Sequence, residues 1–254
     1  MNFLVASASL AFKKIRIFFA LFLTAIYTLL FCLTNVANAA TYNLSSGQYP
    51  PCNTSWSVSG TTYTCTGNGR VTLASGDVLT SNNAITIFAN DGFVLSNNVI
   101  GSVTNSINLV SSYGAIQSGN TNTLYGSITS DSGSITLINT TVTGTITTSG
   151  SISLTGGSVG GRVTSTSNTI TTNGTNLYGG AQARSGMSFT GGTLAGSFVM
   201  TSNNPVTFSG VTMTSGSISG ASTVTIQNGS VIGSSSSSVP ISSNSGAITV
   251  NNSI

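Results

Sequence analysis

Short apolar–polar–apolar triplets recur along the chain, and in its middle part they begin about every 18 residues. Each triplet is too short for a helix, and its alternation is typical of a half-buried strand. A fixed period of this length indicates small structural units that stack on one another. The triplets begin at Val71, Ile85, Ile107, Ile135, Ile152, Ile170, Met187, Val206, Val224 and Ile248.

Two further apolar columns keep a constant distance from the triplets. Seven residues after a triplet start stand Val142, Val159, Leu177, Leu194, Met213 and Val231. Four residues later stand Ile146, Val163, Ala181 and Phe198. Between the first and second columns lie Asn139, Gly156, Asn173-Gly174, Gly191, Gly210 and Asn228-Gly229. Because Gly and Asn tolerate a left-handed backbone, each repeat is predicted to contain three short strands joined by sharp corners.

This pattern predicts an all-β fold, a right-handed parallel β-helix (β-solenoid) of about ten coils over residues 71–254. One coil cannot bury its own apolar face, but a stack of coils can. At about 4.8 Å per coil the rod would be roughly 45–50 Å long. A β-sandwich is the main alternative, although a sandwich does not require columns at fixed offsets. A left-handed solenoid of hexapeptides is a second alternative, and the offsets of seven and four favour the right-handed form.

The first 39 residues are typical of an export signal. Lys13, Lys14 and Arg16 precede an apolar run over residues 17–33, and Ala37-Asn38-Ala39 matches the small-x-small cleavage pattern. We predict a signal peptide over residues 1–39, cleaved between Ala39 and Ala40. A retained signal anchor is the alternative, and it would be the protein's one link to a membrane.

Residues 40–70 are predicted to form an N-terminal cap. An exported protein meets an oxidising compartment, where Cys52 and Cys65 would form a disulfide. The segment from Trp56 to Cys65 alternates about a Ser-Gly turn, which predicts a hairpin. A cap of this kind would cover bare strand edges. No similar cap follows the triplet at Ile248, so we expect an uncapped C-terminal end that meets further chain, a partner or another copy by end-to-end self-association.

Charge is almost absent from the chain. Only 4% of its residues are charged, against about a quarter in ordinary domains, and it has no His. The charged residues after Arg16 are Arg70, Arg162, Arg184, Asp77, Asp91 and Asp131. Three scattered Arg make no basic patch, which excludes nucleic acid as a partner. The lack of His excludes a His-based triad or metal site. We predict no catalytic, cofactor-binding or metal-binding residues.

Several stretches resemble a known family. The stretches at 46–52 (SGQYPPC), 56–65 (WSVSGTTYTC) and 69–77 (GRVTLASGD) resemble the N-terminal region of MshQ-like proteins, as do shorter ones at 96–101, 154–157 and 201–205. These are large exported proteins associated with the mannose-sensitive haemagglutinin (MSHA) type IV pilus of Gram-negative bacteria. The resemblance implies a place at the cell surface, outside the cell or in the periplasm. It also implies a role in pilus biogenesis or adhesion, with pilus or surface proteins as partners and no catalytic residues.

The sequence therefore favours a structural or adhesion module, with carbohydrate binding as an alternative. Tyr125 and Tyr178 share the context Leu-Tyr-Gly, and with Tyr113 they are candidate glycan contacts. The competing interpretation is that these tyrosines are half-buried under loops.

Two further functions stay open. A polysaccharide lyase or hydrolase would need Asp77, Asp91 and Asp131 to converge, with Arg70 and Arg162 acting on the substrate. Each Asp has the sequence context of a turn residue, which argues against this. An ice-binding surface would use the polar triplet centres as a flat Thr array. Thr-x-Thr pairs are complete only at Thr169/Thr171 and Thr223/Thr225, and Thr is also a good strand residue.

Overall fold

The structure is a computed structural model that describes residues 39–254. The predicted signal peptide therefore lies outside the described residues, except for Ala39. Residues 39–254 form one compact unit, a parallel β-solenoid of about nine turns. The sequence prediction of an all-β solenoid is thereby confirmed.

Each coil contributes one strand to each of three sheets, here called A, B and C. Sheet A contains Thr41–Asn43, Val78–Thr80, Val99–Ile100, Asn122–Leu124, Thr140–Val142, Ser158–Val159, Asn176–Leu177, Thr193–Leu194, Thr212–Met213 and Val231–Ile232. Sheet B contains Val71–Thr72, Phe93–Leu95, Ile116–Ser118, Ile135–Ile138, Ile152–Thr155, Ile170–Asn173, Met187–Thr190, Val206–Ser209, Val224–Gln227 and Ile248–Asn251. Sheet C contains Trp56–Ser59, Thr62–Cys65, Ile85–Ala89, Ile107–Ser111, Ile128–Ser130, Ile146–Thr148, Val163–Ser165, Ala181–Ala183, Ser197–Met200, Ser217–Gly220 and Ile241–Ser243.

From Ile135 to Val224 the three predicted columns are the buried columns of the three sheets. The prediction is wrong at Val231, which pairs with Thr212, whereas Ile232 pairs with Met213 and continues the column. Ile135 pairs with Ile152 in sheet B, Val142 with Val159 in sheet A, and Ile146 with Val163 in sheet C. All are parallel pairs, and these side chains are buried. Stacking equivalent aliphatic residues coil upon coil builds the core.

In the earlier coils the predicted register is wrong. Ile85 and Ile107 were assigned to the first column, but they pair with each other in sheet C. Their counterparts in sheet B are Phe93 and Ile116, which pair with each other. The reason is that residues 81–84 and 101–106 make longer connections between sheets A and C than the coils from Ile135 to Gln227 have. A fixed offset along the sequence therefore selects the wrong sheet.

The corners between sheets B and A have the backbone that the sequence predicted. Asn139, Gly156 and Gly174 have φ values of 47°, 63° and 66°. Gly191, Gly210 and Asn228 follow at 59°, 62° and 57°. All six lie in the left-handed region, where Gly and Asn are tolerated. These residues turn the chain sharply without adding length to the coil.

The N-terminal end of the rod carries the predicted hairpin and disulfide. Trp56–Ser59 pairs antiparallel with Thr62–Cys65, and Cys65 is bonded to Cys52. The indole Nε1 of Trp56 donates a hydrogen bond of 3.0 Å to the carbonyl of Pro50. Its ring centroid lies 5.6 Å from that of Tyr49. Leu44 belongs to the short 3-10 helix Leu44–Ser46 and is buried in the core beneath this end.

The C-terminal coil presents apolar side chains to solvent. Ile248 and Val250 pair with Val224 and Ile226, whose side chains are buried. Ile248 and Val250 are themselves 46% and 53% exposed. The two ends of the described rod therefore differ, since a disulfide-linked hairpin covers one and the core columns reach solvent at the other.

Candidate functional site

Asp77 is a buried structural carboxylate at the corner between sheets B and A. It is 1% exposed, and its two oxygens accept hydrogen bonds of 2.8 Å from the backbone N–H groups of Ala40 and Ala74. The bond to Ala74 is the turn contact that its sequence context predicted. Burial, and then the charge of Asp77, raise the pKa of the neighbouring Tyr42 phenol. Asp77 thus ties the first coil to the segment that covers it.

A ladder of buried polar side chains continues from Asp77 through the following coils. The amide of Asn98 donates to the carbonyls of Ala74 (2.7 Å) and Asp77 (3.2 Å). The side-chain oxygen of Asn122 accepts from the backbone N–H of Asn98 at 2.9 Å. Because a buried polar group left unpaired is costly, these amides fix how the early coils stack. We call Asp77, Asn98 and Asn122 the polar ladder.

The structure does not bring the three aspartates together. Asp91 lies at the corner between sheets C and B, where its carboxylate forms a 2.9 Å ion pair with Arg70. Asp131 lies at the same corner two coils further on, and its N–H donates to the carbonyl of Ser111. Asp77 belongs to a different corner. Within residues 39–254, no three His, Cys, Asp or Glu side chains are grouped as a metal ion would require.

Arg162, the other candidate substrate contact, lies at the corner between sheets A and C, directly before the strand Val163–Ser165. Its Nε atom is buried and makes no hydrogen bond with any described residue. Arg70 is held elsewhere by its ion pair with Asp91. The structure therefore does not bring these two arginines to one site.

Tyr125 and Tyr178 stand in one column on the rod. Each directly follows the last residue of a sheet A strand. Four successive sheet A strands end at Leu124, Val142, Val159 and Leu177, and each of these residues pairs with the next. The residues that directly follow them are, in the same order, Tyr125, Thr143, Gly160 and Tyr178. The two tyrosines are thus three coils apart, about 14 Å along the axis at roughly 4.8 Å per coil. Tyr178 is 55% exposed, whereas Tyr125 is half-buried. We call these four residues the tyrosine lane.

Tyr113 does not belong to the tyrosine lane. It lies between sheets C and B, and its hydroxyl donates to the side-chain oxygen of Asn68 at 2.5 Å. Its ring is 52% exposed, similar to that of Tyr178. The structure therefore groups two of the three candidate glycan contacts and separates the third.

A pocket of about 170 Å³ lies at one end of the tyrosine lane. Tyr125 and Thr143 form one part of its wall, and Ser102, Val103 and Ser106 of the connection at residues 101–106 form the other. It therefore combines apolar surface with hydroxyl groups, which is the usual make-up of small ligand sites. No pattern in the sequence indicates this pocket, because its two walls are distant along the chain.

The outer face of sheet B is a neutral array of hydroxyl and amide groups. Its central column pairs Thr136 with Ser153, Ser153 with Thr171, and Thr171 with Ser188. The column continues through Thr207, Thr225 and Thr249. Thr86 and Asn108 are the centres of the triplets at Ile85 and Ile107, which the sequence analysis assigned to the same column. They lie in sheet C instead. At Gly186 the lack of a side chain leaves a shallow groove of about 250 Å³.

The corner between sheets A and C contains a column of glycines packed backbone against backbone. A Cβ on Gly161 would lie 2.7 Å from the carbonyl carbon of Gly144, and a Cβ on Gly179 would overlap the backbone of Gly161. Only glycine allows such an approach. The members of this glycine spine are Gly126, Gly144, Gly161, Gly179, Gly196 and Gly216.

Comparison with protein-family models, with curated proteins and with solved structures finds no match to the chain. Among residues 39–254 there is also no helix with the length and apolar character needed to span a bilayer. The function of this protein must therefore be inferred from its own surfaces.

Proposed function

We propose that the protein is an exported, non-catalytic structural module that acts in adhesion or MSHA-like pilus assembly at the surface of a Gram-negative bacterium. The observation that carries the proposal is the outer face of sheet B, which presents hydroxyl and amide side chains in register over many coils. The disulfide between Cys52 and Cys65 agrees with an oxidising environment outside the cytoplasm.

A neutral face of this kind suits contact with another large surface. Parallel strands place equivalent side chains about 4.8 Å apart, and Ser, Thr and Asn stack at that spacing without like-charge repulsion. From Thr136 to Thr249, each coil then offers a hydroxyl group at this position that can donate and accept a hydrogen bond. Many weak, repeated contacts along one rod give avidity that a single contact does not give.

The carboxylates support a structural function. Asp77 is bonded to two backbone N–H groups, and Asp91 is paired with Arg70. The Nε atom of Arg70 also donates to the carbonyl of Asp91 at 3.1 Å. These groups hold neighbouring segments together, which accounts for their presence in a chain with so few charges.

The test places charge on one face at a time. Cells of the source bacterium that carry Ser153→Lys with Thr171→Lys have two cations on sheet B, and the matched control carries Thr147→Lys with Thr164→Lys on sheet C. We expect the sheet B variant to reduce attachment to abiotic and cell surfaces, or the number of MSHA-like pili, and the sheet C variant to leave both near the parental level. Thermal unfolding of the purified variants checks that both fold.

The proposal is wrong if deletion of the gene changes neither attachment nor pilus number. It is also wrong if antibody against the solenoid and cell fractionation find the protein in the cytoplasm alone.

Ice binding is a second candidate for the same face, because Thr171, Thr207 and Thr225 stand in its central column. Thermal hysteresis of the purified protein tests it directly. Hysteresis that is lost in the sheet B variant and kept in the sheet C variant would favour ice binding over adhesion.

A further inference from the structure

We propose that the tyrosine lane binds a neutral oligosaccharide, with one terminal sugar in the pocket beside Tyr125 and the following sugars extending along the lane to Tyr178. This inference deepens the adhesion function and rests on it, since it names the ligand class that an adhesion module would hold. It concerns a different face of the rod from the hydroxyl array of sheet B.

The pocket has the size and lining for one sugar ring. Its volume of about 170 Å³ lies below the few hundred Å³ typical of sites for drug-sized ligands. Tyr125 and Val103 supply apolar surface for the C–H face of a ring, whereas Ser102, Ser106 and Thr143 supply hydroxyls for its O–H groups. A terminal sugar ring fits a space of this size.

The wall of the pocket is held in place before any ligand arrives. Ser102 N–H donates to the carbonyl of Asn105, and Asn105 N–H donates to Ser102 Oγ, both at 3.0 Å. These bonds close residues 102–105 into a turn. On the opposite wall, Thr143 Oγ1 accepts a 3.1 Å bond from the N–H of Gly126, which leaves its hydroxyl hydrogen to donate to a sugar oxygen. Preorganised groups lose less entropy when they bind.

The lane beyond the pocket leads to a second aromatic ring. Gly160 places no side chain between Thr143 and Tyr178, so the side of Tyr178 that faces the pocket is open along the column. The separation of about 14 Å between the two tyrosines exceeds the width of a single ring. A ligand that reaches both tyrosines must therefore be an oligosaccharide.

The ligand class follows from the charges. Tyr125, Thr143, Gly160 and Tyr178 are neutral, and so are Ser102, Val103 and Ser106. Arg162 lies at the same corner, two residues after Gly160, but it does not line the pocket and its Nε atom is buried. A uronic acid or sulfated sugar would therefore lose hydration in the pocket without gaining a counter-ion. The lane therefore favours uncharged sugars.

The experiment measures binding of short oligomers of glucose, mannose, galactose and N-acetylglucosamine to the purified protein by calorimetry, with a galacturonate oligomer as the charged comparison. We expect at least one neutral oligomer to bind, and Tyr178→Ala to weaken its binding about tenfold. Tyr113→Ala is the matched control, because it removes an equally exposed ring from another corner, and its affinity should equal that of the unchanged protein. Ser106→Phe, which fills the pocket and leaves both tyrosines intact, should also weaken binding.

Three results would overturn the inference: no neutral oligomer binds, the two Tyr variants change affinity equally, or galacturonate binds as tightly as the neutral oligomers. Thermal unfolding of each variant shows whether it folds. If Tyr178→Ala has a fold defect, Tyr178→Phe replaces it, and the affinity of Tyr178→Phe for the sugar oligomer should be largely retained. Attachment of cells that carry Tyr178→Ala separates the two proposals. Normal attachment together with lost sugar binding would overturn the lane as the adhesion site and leave the structural module standing.

Discussion

The early coils, residues 71–133, and the later coils, residues 135–227, build the same three sheets by different means. Sheet B strands begin at Val71, Phe93 and Ile116 in the early coils, and at Ile135, Ile152 and Ile170 in the later ones. The early coils are therefore longer. Their extra residues form connections such as residues 101–106, and their stacking is fixed by the buried polar ladder. The later coils have shorter connections, left-handed residues at the corners between sheets B and A, and most of the glycine spine. Glycines packed against backbone also occur in the early coils, at Gly114 and Gly133.

The difference shows two ways to specify how coils stack. Hydrogen-bonded side chains define the early spacing and need room, so each coil carries longer connections. Along the edge between sheets A and C, backbone contact between glycines contributes to the later spacing and requires an absence of side chains. We expect the two regions to respond to different substitutions, and the following predictions run from the largest effect to the smallest.

Gly179→Ala should be the most damaging change. Its Cβ would overlap the backbone of Gly161, which belongs to a coil held in place by three sheets. We expect a loss of at least about 3 kcal/mol in the free energy of unfolding, measured by chemical denaturation. Gly119→Ala is the matched control, since nothing lies within 4 Å of a Cβ placed there. Equal losses in the two variants would show that the spine does not set the spacing.

Reduction of the Cys52–Cys65 disulfide should come next. The bridge closes a loop with a sequence separation of 13, for which the chain-entropy estimate is about 3 kcal/mol. The loss should be local, because each coil of a solenoid contacts only its neighbours. Hydrogen exchange should quicken in the early coils and change little after Ile135. Uniform quickening along the rod would contradict this division.

Asn98→Ala should destabilise the early coils by about 2 kcal/mol, because the backbone N–H of Ser96 loses its partner and the carbonyls of Ala74 and Asp77 each lose one of their two donors. Asn82→Ala, at an exposed position in the same region, is the control and should have little effect. Denaturant unfolding measures both changes. A change near zero in the free energy of unfolding of Asn98→Ala would mean that water replaces the hydrogen bonds of the polar ladder without loss of stability.

Tyr42→Phe should have the smallest effect, visible only in alkali. Burial and the charge of Asp77 raise the pKa of Tyr42 in the folded protein, so the folded state holds this proton more tightly than the unfolded state. The resulting stability is complete below the unfolded pKa of about 10 and is lost as the pH rises towards the folded value. The variant should therefore lose less stability above that pH than the parent.

Unfolding curves at neutral and alkaline pH measure the Tyr42 effect. Tyr178→Phe serves as the control for loss of a tyrosine hydroxyl. If both variants follow the parent curve in alkali, the burial of Tyr42 and the charge of Asp77 do not affect the stability of the folded protein.

The sequence was sufficient for the fold and for the later register, because Ile135, Ile152 and Ile170 repeat at nearly constant spacing. The predicted register was wrong at Ile85 and Ile107. Connections of variable length shift the columns, and the sequence of an apolar triplet does not show to which sheet it belongs. Inward polar residues were also missed. Thr148 Oγ1 donates to the carbonyl of Gly133 inside the core, and Ser165 Oγ donates to that of Gly150. In sequence these residues are indistinguishable from surface Ser and Thr.

Candidate sites were harder to predict than the fold. The shared context of Tyr125 and Tyr178 correctly placed them in one column, because both follow the same apolar position of sheet A. The pocket beside Tyr125 depends on Val103, which is distant along the chain and reaches it only through an irregular connection. A sequence repeat predicts the features that recur in every coil, whereas this pocket is formed by the connection at residues 101–106, which does not recur.

The glycine spine also makes the resistance of the rod to bending depend on the direction of the load. Gly144, Gly161 and Gly179 already touch through their backbones, so the edge between sheets A and C cannot be shortened without overlap of atoms. In the coils after Gly150, the edge between sheets C and B has side-chain contacts instead, such as that of Ser185 Oγ with the carbonyl of Ser167, which can rearrange and exchange with water when that edge shortens. Under a sideways load the rod should flex more readily towards the hydroxyl-lined edge than towards the glycine edge. A rod with this asymmetry would tend to keep one face turned outward while it bends.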